Sequence, residues 1–152
     1  MSEAVLQNED KFKLPSGKEL KPLDVFRFCY DLSETDAQIL EVLLKLGPKP
    51  ADELGQMLKV SKGTINRSVN KLMKIGLVVR IKETGNKIGR PRYVYSVPNF
   101  DELKGRIAKE IEECTNTIKA FTIKNLENRD MFLTQLQLEE STRESNEETN
   151  QV

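Results

Sequence analysis

The tightest constraint on the fold lies between residues 33 and 76, where three helical patterns follow one another with very short connections. Apolar residues recur at helical spacing in all three, and only Lys59 and Val60 separate the second pattern from the third. A connection that short makes the two helices cross at a steep angle, which is the helix-turn-helix arrangement. The positions predicted to face the core are Ile39, Leu40, Leu43, Leu44 and Leu46, then Leu54, Met57 and Leu58, then Ile65, Val69, Leu72 and Met73.

Residues with capping character mark the ends of these helices. Ser33 and Asp36 have the spacing of a capping box ahead of the first helix, Ser61 caps the third, and Gly76 ends it. Gly55 stands in the middle of the second helix, where the crossing third helix must come close and only a small residue leaves room.

Charge is strongly segregated along a chain that has 24 basic and 24 acidic residues and no net charge. Residues 59–92 carry 10 Lys and Arg against one acid, while the segments on both sides are acidic. Such a block is typical of a surface that binds a polyanion, although a solvated lysine-rich face is the alternative.

The third helix has no acid on its polar side. A solvent-facing helix normally mixes signs to gain ion pairs, so this composition favours contact with phosphates and base edges. Arginine forks onto guanine and asparagine onto adenine in the major groove, while lysines and hydroxyls contact the backbone. The predicted DNA contacts are Ser61, Lys62, Thr64, Asn66, Arg67, Asn70, Lys71 and Lys74.

After Gly76 the pattern changes to a β-hairpin. Residues 77–82 and 93–97 are predicted strands around a turn signal at 85–86. Lys87, Arg90 and Arg92 lie on or beside the tip, and Pro91 stiffens it, which suits insertion into a narrow minor groove. The alternative is a solvated hairpin whose charges keep an exposed edge from pairing.

Three stretches, "YDLSETDAQILEVLLKLG", "ADELGQMLKVSKGTINRSVNKLMKIGLVVR" and "GRPRYVYSVP", carry a family resemblance over residues 30–98. In this order they resemble the winged helix-turn-helix transcription regulators of the archaeal TrmB, MarR and small Lrs-type group. The resemblance implies sequence-specific binding of double-stranded DNA, with residues 61–74 in the major groove and the wing, residues 84–92, in the minor groove. Such motifs often have glycine in the turn between the second and third helices, where this chain has Lys59. We therefore expect this turn to be less sharp. The chain has no room for the sugar-sensing domain of larger TrmB-type members, so sugar sensing is not carried over.

Residues 99–138 show the a/d rhythm of a coiled coil and are predicted to form one long helix. One apolar seam on so long a helix needs a partner, and a second copy of the chain is the simplest, giving a homodimer. The alternative is a helix folded back on its own domain. Asn125 is either a register-setting residue or a fraying point. The predicted dimer contacts are Phe26, Ile107, Ile111, Cys114, Ile118 and Phe121.

The predicted fold is therefore mainly α with a small β-hairpin wing, a winged helix-turn-helix followed by a long dimerisation helix. Residues 1–32 are expected to form an extension with a small hairpin about Ser16 and Gly17 and one short helix. The winged helix-turn-helix spans 33–98, the dimerisation helix spans 99–138, and the acidic residues 139–152 are expected to be disordered.

Several classes of function are disfavoured by what the sequence lacks. The chain has no histidine, no phosphate-cradling glycine loop and no suggestive acid pair, so we expect no catalytic site, metal or cofactor. Cys29 and Cys114 have no CxxC spacing and are expected to be buried thiols.

Without a signal peptide or a long apolar run, the chain is expected to be cytoplasmic, nucleoid-associated and not membrane-bound. The alternative functions are architectural DNA binding, protein binding through the winged helix, and RNA binding. The sequence does not indicate whether an effector ligand exists.

Overall fold

The computed structural model describes residues 12–83 and 92–150, and contacts divide the chain into two compact units, residues 1–111 and 112–152. The elements in chain order are β1 (Phe12–Lys13), β2 (Glu19–Leu20), α1 (Pro22–Cys29), α2 (Glu34–Leu46), α3 (Ala51–Leu58), α4 (Lys62–Ile75), β3 (Val79–Glu83), β4 (Arg92–Ser96), α5 (Phe100–Glu127) and α6 (Arg129–Asn150). This order confirms the predicted class, mainly α with a small hairpin.

The core of the first unit lies where α2, α3 and α4 meet. Its apolar residues that are at most 5% exposed come from the predicted apolar stripes, together with two residues that follow α4 and one from α5. They are Ile39, Leu40, Leu43, Leu54, Ile65, Val69, Leu72, Leu77, Val78 and Leu103. Leu44, Leu46 and Met57, predicted to face the core, are 42%, 56% and 41% exposed instead.

The helix ends follow the predicted caps. The Ser33 hydroxyl accepts from the Asp36 amide at 3.1 Å, and the Asp36 carboxylate accepts from the Ser33 amide at 2.9 Å, which completes the capping box. Gly55 is buried, and an added Cβ would lie 3.7 Å from the Ile65 side chain of α4 and only 3.1 Å from the Val60 carbonyl oxygen in the turn before it. The predicted approach of the third helix is therefore present, but the tightest contact is with the turn.

The turn between α3 and α4 is made without glycine. Lys59 adopts the left-handed conformation, with φ of 57° and ψ of 44°, and its amide bonds the Gly55 carbonyl at the end of α3. The chain therefore still turns sharply between α3 and α4 although Lys59 replaces the glycine that is frequent there. The Cβ of Lys59 makes this left-handed conformation sterically unfavourable.

The hairpin pairs β3 with β4 in antiparallel register, from Val79 opposite Ser96 to Glu83 opposite Arg92. A single bridge ties it to the segment between α2 and α3, where Lys49 and Tyr95 exchange backbone hydrogen bonds of 3.0 and 2.8 Å. The predicted turn at 85–86 lies outside the described residues. Near the amino terminus, β1 and β2 pair around Gly17 and confirm the smaller predicted hairpin.

The carboxyl-terminal helical region differs from the sequence prediction in two ways. The helix predicted over 99–138 ends at Glu127, and Asn128 then caps a second helix by accepting from the Met131 amide at 3.1 Å. The tail predicted to be disordered from residue 139 is instead part of α6, which runs to Asn150.

The tail was expected to be disordered because it has too few apolar residues to form a core. Residues 139–149 are all exposed, so α6 gains nothing there from a core. Glutamate and arginine are good helix formers, however, and hydroxyls along this stretch bond carbonyls one turn earlier, as Thr142 does with Leu138 at 2.9 Å. A composition too polar to form a core is thus compatible with helical backbone.

Both cysteines also depart from expectation. Cys29 and Cys114 are disulfide-bonded and half-buried, so the prediction of buried thiols is wrong. Sequence spacing carries no information on cysteine pairing unless the two residues lie close together in a known motif.

Among the described residues, no helix is both long enough and apolar enough to span a bilayer.

Candidate nucleic-acid interface

The polar side of α4 is open to solvent over most of its length. Of the eight predicted contacts on this helix and its cap, Ser61, Lys62, Arg67, Asn70 and Lys74 are exposed, and Thr64, Asn66 and Lys71 are half-buried. The opposite side holds Ile65, Val69 and Leu72, none of which is exposed at all. The sequence thus assigns the two sides of α4 correctly, and the outward side carries no acid.

Hydrogen bonds organise the amino-terminal turn of α4. The Ser61 hydroxyl accepts from the Thr64 amide at 3.2 Å and lies 2.9 Å from the Thr64 hydroxyl. The Arg67 guanidinium donates to that same hydroxyl at 3.2 Å. Ser61 therefore caps the helix, and Arg67 is held in place by a neighbour one turn earlier. Holding an arginine in this way reduces the entropy that its guanidinium loses on binding a base or phosphate.

Lys71 differs from the other basic residues of α4 because its ammonium is already occupied. It lies 3.0 Å from an oxygen of the Asp36 carboxylate and also donates to the Asp31 carbonyl. Burial of the Asp36 carboxyl works to raise its pKa, but bonds from the Ser68 hydroxyl, the Ser33 amide and Lys71 outweigh burial and lower the pKa. Asp36 is therefore ionised at neutral pH inside the protein.

The carboxyl-terminal end of α4 is capped by α5. Gly76 is left-handed, with φ of 86°, and its amide bonds the Leu72 and Met73 carbonyls. The Arg106 guanidinium donates to the Gly76 carbonyl at 2.5 Å and pairs with Glu110 at 3.3 Å. The last carbonyls of α4 thus face a positive charge, which suits the negative end of the helix dipole.

The described part of the hairpin carries further basic residues of the first unit. Arg92 is exposed and lies 3.9 Å from Asp52 of α3. Arg80 stacks over the Tyr93 ring at 4.5 Å, and Lys82 is exposed. Sequence reasoning missed Arg80 and Lys82 as candidates, although both belong to the basic block. The remaining predicted wing contacts, Lys87 and Arg90, lie outside the described residues.

The predicted dimer contacts fall into two groups. Phe26, Ile107 and Ile111 line an apolar groove of about 340 Å³ in the first unit, which Leu44 and Phe100 also line. In the second unit, Ile118 and Phe121 are 38% and 61% exposed, and Cys114 is disulfide-bonded. Asn125 is buried, with its amide donating to the Phe121 carbonyl at 2.8 Å.

Comparison with known proteins then places the chain in a family. The model of the sugar-specific transcriptional regulator TrmB matches residues 26–100, from within α1 through the hairpin to the start of α5. An uncharacterized protein of Methanocaldococcus jannaschii, MJ1503, is 31% identical over 102 residues, which are 67% of this chain and 76% of that protein. The chain belongs to the TrmB family of winged-helix transcriptional regulators.

Solved structures with a similar fold are found in archaea. The ST1889 protein from Sulfolobus tokodaii is 30% identical, covers 65% of this chain and 92% of its own, and superposes with a TM-score of 0.54. A possible transcriptional regulator from Methanosarcina mazei is 22% identical, covers 77% of this chain and 94% of its own, and gives a TM-score of 0.58, which supports the fold alone. The family consists of transcriptional regulators and not of enzymes, as the sequence predicted.

Proposed function

We propose that this TrmB-family chain is a homodimeric, sequence-specific regulator of transcription that binds double-stranded DNA. Residues 61–74 form its recognition helix in the major groove, and the wing, residues 84–92, enters the adjacent minor groove. The observation that carries the proposal is the exposed side of α4, which presents Lys62, Arg67, Asn70 and Lys74 and no acid. We expect such a regulator to be associated with the nucleoid.

Recognition of sequence is assigned to the amide and guanidinium groups on α4. Asn66, Arg67 and Asn70 carry the side chains that form paired hydrogen bonds with adenine or guanine edges. Lys62 and Lys74 lie towards the two ends of the helix, where ammonium groups meet the phosphate backbone on either side of a groove. Loss of Arg67 should therefore relax base preference, whereas loss of Lys74 should weaken binding to every sequence alike.

A second copy of the chain is supported by the apolar residues of the second unit. Six of its described large apolar side chains, Phe121, Ile123, Leu126, Met131, Leu133 and Leu138, are each more than 40% exposed in the single chain. Because exposed apolar surface of this extent is unfavourable in water, we propose that the same region of another protomer covers it. Two recognition helices would then meet successive major grooves about 34 Å apart, on a site with two-fold symmetry.

The test is a binding experiment with selected DNA. Genomic fragments retained by the protein are sequenced, and fluorescence anisotropy then compares a selected duplex with a random one at two salt concentrations. We expect the selected duplex to bind about 10³-fold more tightly or better. Affinity for both duplexes should fall steeply as salt rises, because bound phosphates release counterions.

Variants refine the test. Arg67→Ala should reduce the preference for the selected duplex, and Arg90→Ala should weaken binding through the wing. Lys45→Ala is the matched control, since Lys45 is 69% exposed on α2 and pairs only with Glu41 among the described residues. Equal affinity for selected and random duplexes would favour an architectural protein, and no affinity for either would favour a protein-interaction module.

A further inference from the structure

A buried carboxylate joins α2 to α4 on the inner margin of the proposed DNA-binding side. Asp36 is only 3% exposed, although it is charged and lies in the first turn of α2. One of its oxygens accepts from the Ser33 amide at 2.9 Å and lies 3.0 Å from the Lys71 ammonium. The Ser68 hydroxyl of α4 lies close enough to the carboxylate to lower its pKa. One side chain thus completes the cap of α2 and contacts α4 at two positions one turn apart.

The Lys71 ammonium has a second partner on the protein. It donates to the Asp31 carbonyl in the connection between α1 and α2, where Asp31 itself is left-handed with φ of 54°. Lys71 is 40% exposed along its side chain, so its stem reaches solvent while its charged end faces inward. Among the described residues, neither Lys62 nor Lys74 makes a hydrogen bond or an ion pair, which sets Lys71 apart from the lysines at the ends of α4.

Movement of Lys71 to a phosphate would leave Asp36 without its counter-ion. A buried carboxylate that loses its charged partner is strongly destabilised, because the site is desolvated and cannot readily admit water in exchange. The pair is also neutral as a whole, so it offers a phosphate little net attraction. Lys71 is therefore poorly suited to contact DNA, although the sequence pattern places it on the polar side of the helix.

We propose that Lys71 and Asp36 are positioning residues that fix the recognition helix against α2, and that Lys71 does not contact DNA. A shift or rotation of α4 would break the bonds to Asp36 from Ser68 and Lys71 together, so the pair holds Asn66, Arg67 and Asn70 in register with the bases. This inference rests on the proposed function, because the register matters only if α4 reads a groove.

The test separates positioning from phosphate contact by the salt dependence of binding. Each phosphate contact that is lost lowers the slope of log affinity against log salt by about 0.9. Lys71→Met and Lys74→Met, on the same helix, are compared on the selected and random duplexes at several salt concentrations. We expect Lys74→Met to lower the slope and to keep the preference between duplexes.

Lys71→Met should behave in the opposite way. The slope of log affinity against log salt should equal that of the wild type. Affinity for the selected duplex should fall about fivefold or more, which is the loss expected for one mismatched base pair. Affinity for the random duplex should not change. Asp36→Asn should lose the same preference although it removes no positive charge. The double variant should lose no more than either single variant, because the two residues act as a unit.

Lys71→Arg is the conservative variant, since it keeps a cation opposite Asp36, and it should restore most of the preference. Thermal melting of every variant establishes that binding is measured on folded protein. Should Lys71→Met not fold because it leaves the Asp36 charge unpaired, Asp36→Asn and Lys71→Arg carry the test, and a preference kept in Asp36→Asn would then contradict the proposal. A slope for Lys71→Met as low as that for Lys74→Met would overturn the proposal, and so would an unchanged preference. Failure of the wild type to bind any duplex would instead refute the proposed function.

Discussion

Lys71 and Lys74 lie less than one turn apart on α4, and the sequence predicts a DNA contact for both. The structure gives them different surroundings, because only Lys71 lies within reach of Asp36. The sequence alone does not separate them, since the partner of Lys71 is supplied by another helix. At the scale of single residues, the polar side of a helix can thus be predicted from periodicity, whereas the partner of each charge depends on how the helices pack.

Gly76 is a residue whose backbone and surroundings both require glycine. Its φ of 86° is left-handed, and an added Cβ would overlap the Arg106 guanidinium that bonds the Gly76 carbonyl. We expect Gly76→Ala to lower the free energy of unfolding by about 1–2 kcal/mol, from backbone strain and from displacement of Arg106. Chemical denaturation of the two proteins measures the difference.

Gly105→Ala is the matched control for this substitution. Gly105 lies within α5, and no atom comes within 4 Å of an added Cβ. Alanine should there raise the free energy of unfolding by about 0.5–1 kcal/mol, because glycine is a poor helix former. If Gly76→Ala stabilised the protein as much as Gly105→Ala does, the requirement for glycine at the end of α4 would be refuted.

At the scale of elements, the turn between α3 and α4 uses a residue that is not ideal for its conformation. Lys59 is left-handed at the end of α3. We expect Lys59→Gly to raise the free energy of unfolding by up to about 1 kcal/mol, because relief of steric strain exceeds the extra chain entropy of glycine when unfolded. Thermal or denaturant unfolding measures the gain.

Lys59→Ala tests the cause of that gain. Alanine removes the same charge but keeps the Cβ, so it should not stabilise the turn. Equal stabilisation by alanine and glycine would mean that the lysine charge, in a basic segment, was the unfavourable feature.

The elements that local chemistry specifies are the ones that the sequence predicted well. Ser33, Ser61 and Gly76 mark helix ends through their own side chains or conformations, so α2 and α4 begin and end where expected. The bridge between Lys49 and Tyr95 was missed because it joins a single residue of a connection to a distant strand. The helical tail was missed because low hydrophobicity indicates the absence of a core and does not exclude helical backbone.

The candidate site was predictable to a similar extent. Composition located the basic block, and periodicity placed Arg67 and Asn70 on the exposed side of α4. The hydrogen bond that holds Arg67 to Thr64 needed coordinates, because several rotatable side-chain torsions separate the guanidinium from its backbone. Arg106 was not predicted at all, since a cap supplied by a different helix leaves no local pattern.

At the scale of the whole molecule, the two units carry different kinds of surface. The first presents the acid-free side of α4, and the second exposes large apolar residues such as Phe121 and Leu126. A division of this kind suits a protein that contacts DNA with one part and its own copy with another. The proposed dimer can therefore be disrupted without altering any residue on α4.

Phe121→Glu should convert the protein to monomers, because a charge would be placed in the proposed contact between protomers. Asn116→Glu is the matched control, since Asn116 is exposed and lies on the opposite side of α5. Sedimentation should show dimers for the wild type and the control and monomers for Phe121→Glu. Affinity for a duplex with two half-sites should fall roughly 10²-fold in the monomer, while affinity for one half-site is kept, because only linked recognition helices bind both halves at once. A wild type that sediments as a monomer at the concentrations at which it binds DNA would rule out the proposed dimer and the two-fold site together.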